Sequence, residues 1–211
     1  MRRIKLVGLA LAATPLAFAF VGVGSASATR LCASNTLPCA NIIEAGATAK
    51  GELKSGTESV FTSGFAVVKC KTSTTEEKTT SSGGEEGVPV SGQITAISWS
   101  NCSCNLGGSV TTGVEKLPWT TELNYTSEMN GAVTISNPQW WFTCAGTKCV
   151  YSSAGPKITR LPGNPMEDHY SQSFTLISSL SGLLCASTIT WKATYLLYWP
   201  VPPDGTFVAG R

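Results

Sequence analysis

The stretch "TITWKATYLLYW", residues 188–199, decides the fold class. Ile189, Trp191, Ala193, Tyr195 and Leu197 recur at every second position, and Thr190, Lys192 and Thr194 fill the places between. A period of two is the repeat of a strand, whose successive side chains point to opposite faces. The β-branched and aromatic content suits a half-buried pleated surface. Residues 188–199 are therefore predicted to form a strand with one face in a core.

The same signal recurs through the chain. In Pro118–Thr126, Trp119, Thr121, Leu123 and Tyr125 take one face. In Gly131–Ser136, Val133 and Ile135 alternate with Ala132 and Thr134. In Ser171–Ser178, Phe174 and Leu176 oppose Ser173 and Thr175. Shorter candidates are 48–53, 60–62, 65–71, 93–99, 109–114, 139–144 and 149–152. Ser and Thr make up nearly a quarter of the residues, glycine is frequent, and no amphipathic helical pattern stands out. Many short strands separated by turn residues predict an all-β, single-domain β-sandwich, with a β-barrel as the alternative. The polar run "KTSTTEEKTTSSGGEEGVPVS", residues 71–91, reads as a solvated loop or a hairpin tip.

The N-terminus reads as an export signal. Arg2, Arg3 and Lys5 precede an apolar run, and Ala26-Ser27-Ala28 has the small-x-small form of a cleavage site. Residues 1–28 are expected to be removed, leaving 29–211 as one exported domain. The densest later apolar run, Tyr195–Trp199, is too short to span a bilayer. Without Arg2, Arg3 and Lys5 the 15 basic residues fall to 12 against 13 acidic ones, a net charge of −1. That balance gives no electrostatic footprint for nucleic acid. The expected location is secreted or extracellular, with association to the cell envelope.

All eight cysteines follow the signal: Cys32, Cys39, Cys70, Cys102, Cys104, Cys144, Cys149 and Cys185. An even count in an exported chain implies a disulfide framework. Zinc would call for paired cysteine elements or companion histidines, and the one histidine is His169. A redox site would call for C-x-x-C. Neither metal nor cofactor is expected.

Leu31-Cys32…Asn35…Pro38-Cys39, Gly92-Gln93-Ile94-Thr95…Cys102, Leu117-Pro118-Trp119 and Gly182-Leu183-Leu184-Cys185…Trp191…Ala193…Tyr195 carry a family likeness. Together they resemble a set of exported proteins of soil actinobacteria that occur as divergent paralogues with no assigned activity. The resemblance spans nearly the whole exported part and implies export and a cysteine-braced fold, with no catalytic residues. It departs at Cys102-Ser103-Cys104, where the family places several residues between the two cysteines.

Two residues of extended chain span about 6.6 Å, at the upper edge of disulfide Cα separations, so Cys102 and Cys104 are expected to take different partners. Cys32–Cys39 and Cys144–Cys149 are close enough to clip local loops. The strands at 65–71 and 93–99 flank one polar connection, which pairs Cys70 with Cys102 and leaves Cys104 for Cys185. Spacing alone does not fix this connectivity.

Three function classes follow. Catalysis would centre on Glu167-Asp168-His169, yet adjacent strand residues face opposite ways, and no G-x-S-x-G elbow accompanies them. A hydrolase is thus the weaker reading. A glycan- or protein-binding module would use exposed aromatics: Trp140 aligns with Phe142 and Cys144 as a core residue, leaving Trp141 and Tyr198 as candidate contacts. The leading expectation is an exported structural or envelope-associated protein without catalytic activity. Its partner would be a cell-wall glycan or another envelope protein.

Overall fold

The computed structural model describes residues 28–33, 38–127, 129–177, 184–200 and 206–210. Apart from Ala28, the expected signal peptide lies outside these residues, as does Glu128. Among them the chain forms fourteen strands and no helix. The all-β expectation holds, and the architecture is the closed barrel rather than the sandwich.

Four strands are long: β4 (Val67–Thr79), β5 (Val90–Cys104), β12 (Met166–Leu176) and β13 (Thr188–Tyr198). β4 and β5 form one hairpin and β12 and β13 another. Between β4 and β13 lies a single interrupted stave, β2 (Thr48–Leu53) followed by β3 (Ser59–Thr62), each pairing with both neighbours. Residues 54–58 loop out between them, turned by hydrogen bonds from Thr57 N (3.0 Å) and Thr57 Oγ1 (2.6 Å) to Lys54 O. β7 (Trp119–Tyr125), β8 (Gly131–Ile135) and β11 (Lys157–Leu161) complete the ring from β5 back to β12, giving eight staves. A bulge at Thr95 helps the long hairpin to curl, because Glu76 opposes Ala96 while Glu77 opposes Ile94.

The ring forks. β7 pairs only with Val90–Ile94 of β5, and β11 only with Glu167–His169 of β12. Beyond those contacts a second ribbon fills the gap, made of β6 (Thr112–Glu115), β9 (Gln139–Cys144) and β10 (Thr147–Ser152). β10 joins β12 at Tyr151↔Leu176 and Ser152↔Thr175. On its other side the ribbon meets β5 through side chains: Thr112 Oγ1 donates to Trp99 O at 3.0 Å. At the opposite end, β1 (Thr29–Cys32) pairs with β14 (Phe207–Gly210), and Leu31 and Val208 enter the core.

The disulfides follow the fork. Cys70–Cys102 joins directly opposed residues of β4 and β5. Cys104–Cys144 ties the end of β5 to the end of β9, and Cys149–Cys185 ties β10 to the β12–β13 connection. Cys32–Cys39 is the local clip expected beside β1. Two expected pairs are therefore corrected. Cys144 opposes Thr147 and Cys149 opposes Phe142, so Cys144 and Cys149 sit diagonally across the ladder. Such diagonal neighbours lie about 7–8 Å apart, beyond disulfide reach. Cys104 meets Cys144 instead, because the ribbon folds against β5, and Cys185 is left for Cys149.

A second correction concerns residues 71–91. Lys71–Thr79 belongs to β4, and the hairpin connection is only 80–89. Ser73, Thr75, Glu77 and Thr79 point inward and are buried, while Thr74 and Lys78 are exposed. The strand alternates polar with polar, so hydrophobic periodicity does not register it. Its buried groups are paired: Ser73 Oγ with Ser98 O (2.7 Å) and Tyr195 OH (2.6 Å), Thr75 Oγ1 with Ala96 O (3.1 Å), and Thr79 Oγ1 with Glu44 O (2.7 Å).

The Cys104–Cys144 closure spans a sequence separation of 40, the Cys32–Cys39 clip one of 7. Loop-closure entropy assigns them about 4 and about 2.5 kcal/mol. Replacing both Cys104 and Cys144 by Ser should accordingly lower stability more than replacing Cys32 and Cys39. Matched urea melts check this ordering.

Candidate functional site

Three places bear on chemistry: the barrel interior, the outer wall of β12, and the exposed aromatics.

The interior is filled. Phe61 packs on Trp140 (centroids 4.6 Å) and Trp191 (5.8 Å); Trp140 meets Tyr151 (5.4 Å) and Phe174 (5.3 Å). Tyr170 then links Trp191 (4.4 Å) to Tyr195 (5.2 Å). The tryptophan expected in the core, Trp140, is there, 1% exposed.

Beside these rings sits an ion triad that bridges the barrel. Arg160 of β11 donates through Nε and Nη2 to Asp168 of β12 at 2.8 and 2.7 Å. It reaches across to Glu77 of β4 with Nη2 at 2.5 Å and Nη1 at 3.3 Å. All three side chains are buried. Burial alone would depress the guanidinium, but Asp168 and Glu77 hold it well above its ordinary value. A planar fork facing two carboxylates is the geometry for which arginine is suited. Arg160 was not among the residues the sequence singled out, and Glu77 falls in the run 71–91 that reads as a solvated connection. The available signal was Arg160 in step with Ile158 on a short alternating run.

The Glu167-Asp168-His169 run is split by strand alternation, as the sequence implies. Asp168 turns inward to Arg160, while Glu167 and His169 stay on the outer wall. Glu167 Oε1 accepts from Lys54 Nζ at 2.6 Å, and Glu167 Oε2 lies 3.1 Å from His169 Nε2. The Lys54 hydrogen bond, opposed by slight desolvation and helped by His169, holds Glu167 below the usual carboxylate range. The groove beside His169 is lined by Thr57, Glu58, Ser171, Lys192 and Thr194. Among the described residues no serine or threonine hydroxyl hydrogen-bonds the imidazole. The arrangement is an exposed ion cluster on a sheet. Among the described residues no group of His, Cys, Asp and Glu has a metal-binding arrangement.

The two aromatic candidates lie apart. Trp141, on the outer face of β9, is half-buried and rests against Gly113, where an added Cβ would lie 2.5 Å from the ring. Lys148 Nζ stands 4.2 Å from the ring centroid. The ring is thus engaged within the protein, by packing and a cation–π contact. Tyr198, 42% exposed, lies on β13 opposite Lys50, at the other end of the barrel. They do not form one patch.

No helix among the described residues is long and apolar enough to cross a membrane. No protein-family model, curated protein or solved structure matches the chain.

Two expectations follow from the interior. Removing Arg160 alone strands two buried carboxylates, which costs about 3–5 kcal/mol. Arg160→Met should show that loss in a urea melt. Adding Glu77→Leu and Asp168→Leu should recover most of it, since an apolar replacement of a whole buried cluster is often neutral. The second concerns alkali. Burial pushes the Tyr151 phenol up to about 12, Tyr195 further despite its bond to Ser73, and Tyr170 well above its ordinary value, with Asp168 adding to the effect. Groups raised on folding stabilise fully below their unfolded pKa of about 10 and lose that contribution as pH climbs through the folded values. The melting temperature should therefore fall steadily above pH 10. Phenolate absorbance from these tyrosines should rise only with unfolding.

Proposed function

We propose that this chain is an exported structural protein of the cell envelope without catalytic activity. The observation that carries the reading is the placement of three disulfides, Cys70–Cys102, Cys104–Cys144 and Cys149–Cys185, around one end of a barrel with a filled interior. Disulfides form and persist in oxidising compartments, outside the cytosol. A framework of this kind resists local opening, which suits a scaffold exposed to an unregulated medium. The N-terminal sequence pattern and the likeness to exported actinobacterial proteins support the same reading.

The alternative is a module that binds a glycan or an envelope protein through an exposed aromatic. Tyr198 favours it, being exposed beside Lys50. Trp141 contributes less to it, since Lys148 and Gly113 already engage its ring.

Fractionation of producing cells separates the readings. The envelope protein should be retained in the wall-and-membrane fraction with Thr29 as its first residue, and Tyr198→Ala should leave retention unchanged. Loss of retention in that variant favours the binding module. Recovery of the chain free in the medium removes the envelope reading. Hydrolase screening of the pure protein should show no turnover that His169→Ala abolishes.

A further inference from the structure

The forked end of the barrel has an unusual surface. Four connections meet there: 63–66 between β3 and β4, 105–111 between β5 and β6, 145–146 between β9 and β10, and the described part of the β12–β13 connection, 177 and 184–187. Their described residues include no Asp, Glu, Lys or Arg. Phe65 (47% exposed), Leu106 (42%) and Leu184 (46%) project from three of these connections. The connections at the opposite end carry Glu44, Glu85 and Glu86, all exposed.

The rim is held as one piece. Asn105 donates through Nδ2 to Phe65 O at 3.0 Å, and its Oδ1 accepts from Val67 N at 2.7 Å. Ala145 N donates to Gly107 O at 3.2 Å. Cys149–Cys185 ties the β12–β13 connection to β10, just beyond the 145–146 turn, and Cys185 lies against Lys148 O. Gly107 and Gly108 both take positive φ, which keeps this turn tight with Leu106 at its tip. Just behind the tips, Lys69, Lys71 and Lys148 are exposed on the outer wall. Lys69 and Lys148 make loose surface pairs with Glu58 at 3.5 Å and Glu115 at 3.7 Å, and Lys148 also lies over the Trp141 ring.

We propose that this rim docks on an anionic lipid surface, with Phe65, Leu106 and Leu184 entering the headgroup–acyl boundary and the lysines facing the lipid charge. The proposal rests on the envelope reading and names the component contacted. Apolar tips with cationic residues set behind them match the layering of a bilayer interface, where apolar burial and attraction to anionic headgroups add. A polar glycan would stack on Phe65 and leave the aliphatic Leu106 and Leu184 without partners. The disulfides matter because a preorganised rim loses little conformational freedom on docking.

The test is co-sedimentation of the exported chain with phosphatidylglycerol–phosphatidylcholine vesicles and with pure phosphatidylcholine vesicles. The expected result is binding to the anionic vesicles that weakens with salt, and weaker binding to the neutral ones. Phe65→Ser with Leu106→Ser and Leu184→Ser should reduce anionic-vesicle binding at least about tenfold. These side chains are exposed, and an unchanged melt shows the variant folded. Lys69→Gln with Lys71→Gln should remove much of the preference for anionic lipid, and Val88→Ser, equally exposed at the other end, should change nothing. As a direct reading, tryptophan at position 65 (F65W) should be quenched by brominated lipid. Absence of vesicle binding overturns the proposal, as does equal binding by the rim variant. Self-association that the rim variant abolishes, without vesicle binding, makes the rim a contact between copies and overturns it too. Retention in the envelope fraction without vesicle binding defeats the lipid contact alone and leaves the envelope reading standing.

Discussion

β5 and β12 are longer than the neighbours available to them, and the rest of the structure follows from that mismatch. On that side each strand pairs with its ring neighbour over only a short stretch, Val90–Ile94 of β5 and Glu167–His169 of β12, and needs another partner beyond it. The β7–β8–β11 ribbon closes one half through continuous backbone pairing on both sides. The β6–β9–β10 ribbon is bound to β12 by two residue pairs and to β5 by a side-chain hydrogen bond. Its remaining attachment comes from buried rings, Trp140, Phe142 and Tyr151, and from two disulfides. Sulfur takes over where the hydrogen-bond ladder stops. That division explains why Cys104–Cys144 and Cys149–Cys185 lie at this end, where Cys70–Cys102 reinforces the intact β4–β5 ladder beside them.

The triad works on the other half of the problem, which is how to hold β4 against β11 and β12 across the barrel. Ser73, Thr75 and Thr79 find their own partners, but a purely apolar filling would leave Glu77 on the inward face of β4 unsatisfied. Arg160 instead ties Glu77 to Asp168 with charge-assisted bonds in a planar fork. The net negative charge left inside adds to the cost of ionising Tyr170. Interior electrostatics and aromatic packing are thus coupled through a single ring. A buried triad is weak evidence of stability in itself. Its stronger role is register: a shift of β4 by one residue would turn Glu77 outward and leave Arg160 with Asp168 as its one carboxylate partner.

Strands whose two faces differ in polarity were legible. Residues 119–125, 131–135 and 188–198 appear where alternation places them, with Trp119, Val133, Ile135, Trp191 and Tyr195 inward. β4 beyond Lys71 was not legible, because Ser73, Thr75 and Glu77 are as polar as the residues between them. β1, β11 and β14 were also missed: TRLC, KITRL and FVAG place charged, glycine or adjacent apolar residues where a clean apolar–polar alternation would stand. The disulfide pairing failed where tertiary contact overrode sequence distance. Cys70–Cys102 could be read from a hairpin, a local object. Cys104–Cys144 depends on the fork, which no local pattern announces.

The same fork gives the molecule two unlike ends. At one, the paired β1 and β14 close the barrel behind acidic connections bearing Glu44, Glu85 and Glu86. At the other, short uncharged connections are drawn together by the bridges that the missing ladder requires. Loops are normally the mobile part of a β-barrel, and mobility blunts the exposure of an apolar tip because the side chain can fold back. Here the cross-links that complete the fold also deny Leu106 and Leu184 that retreat, and Asn105 does the same for Phe65. Apolar side chains held outward in this way face water at a standing free-energy cost, which a docking surface can recover on contact. Closing the barrel and presenting the rim are therefore consequences of one set of bonds. A change that loosens the fork should be felt at the rim before it is felt in the aromatic core.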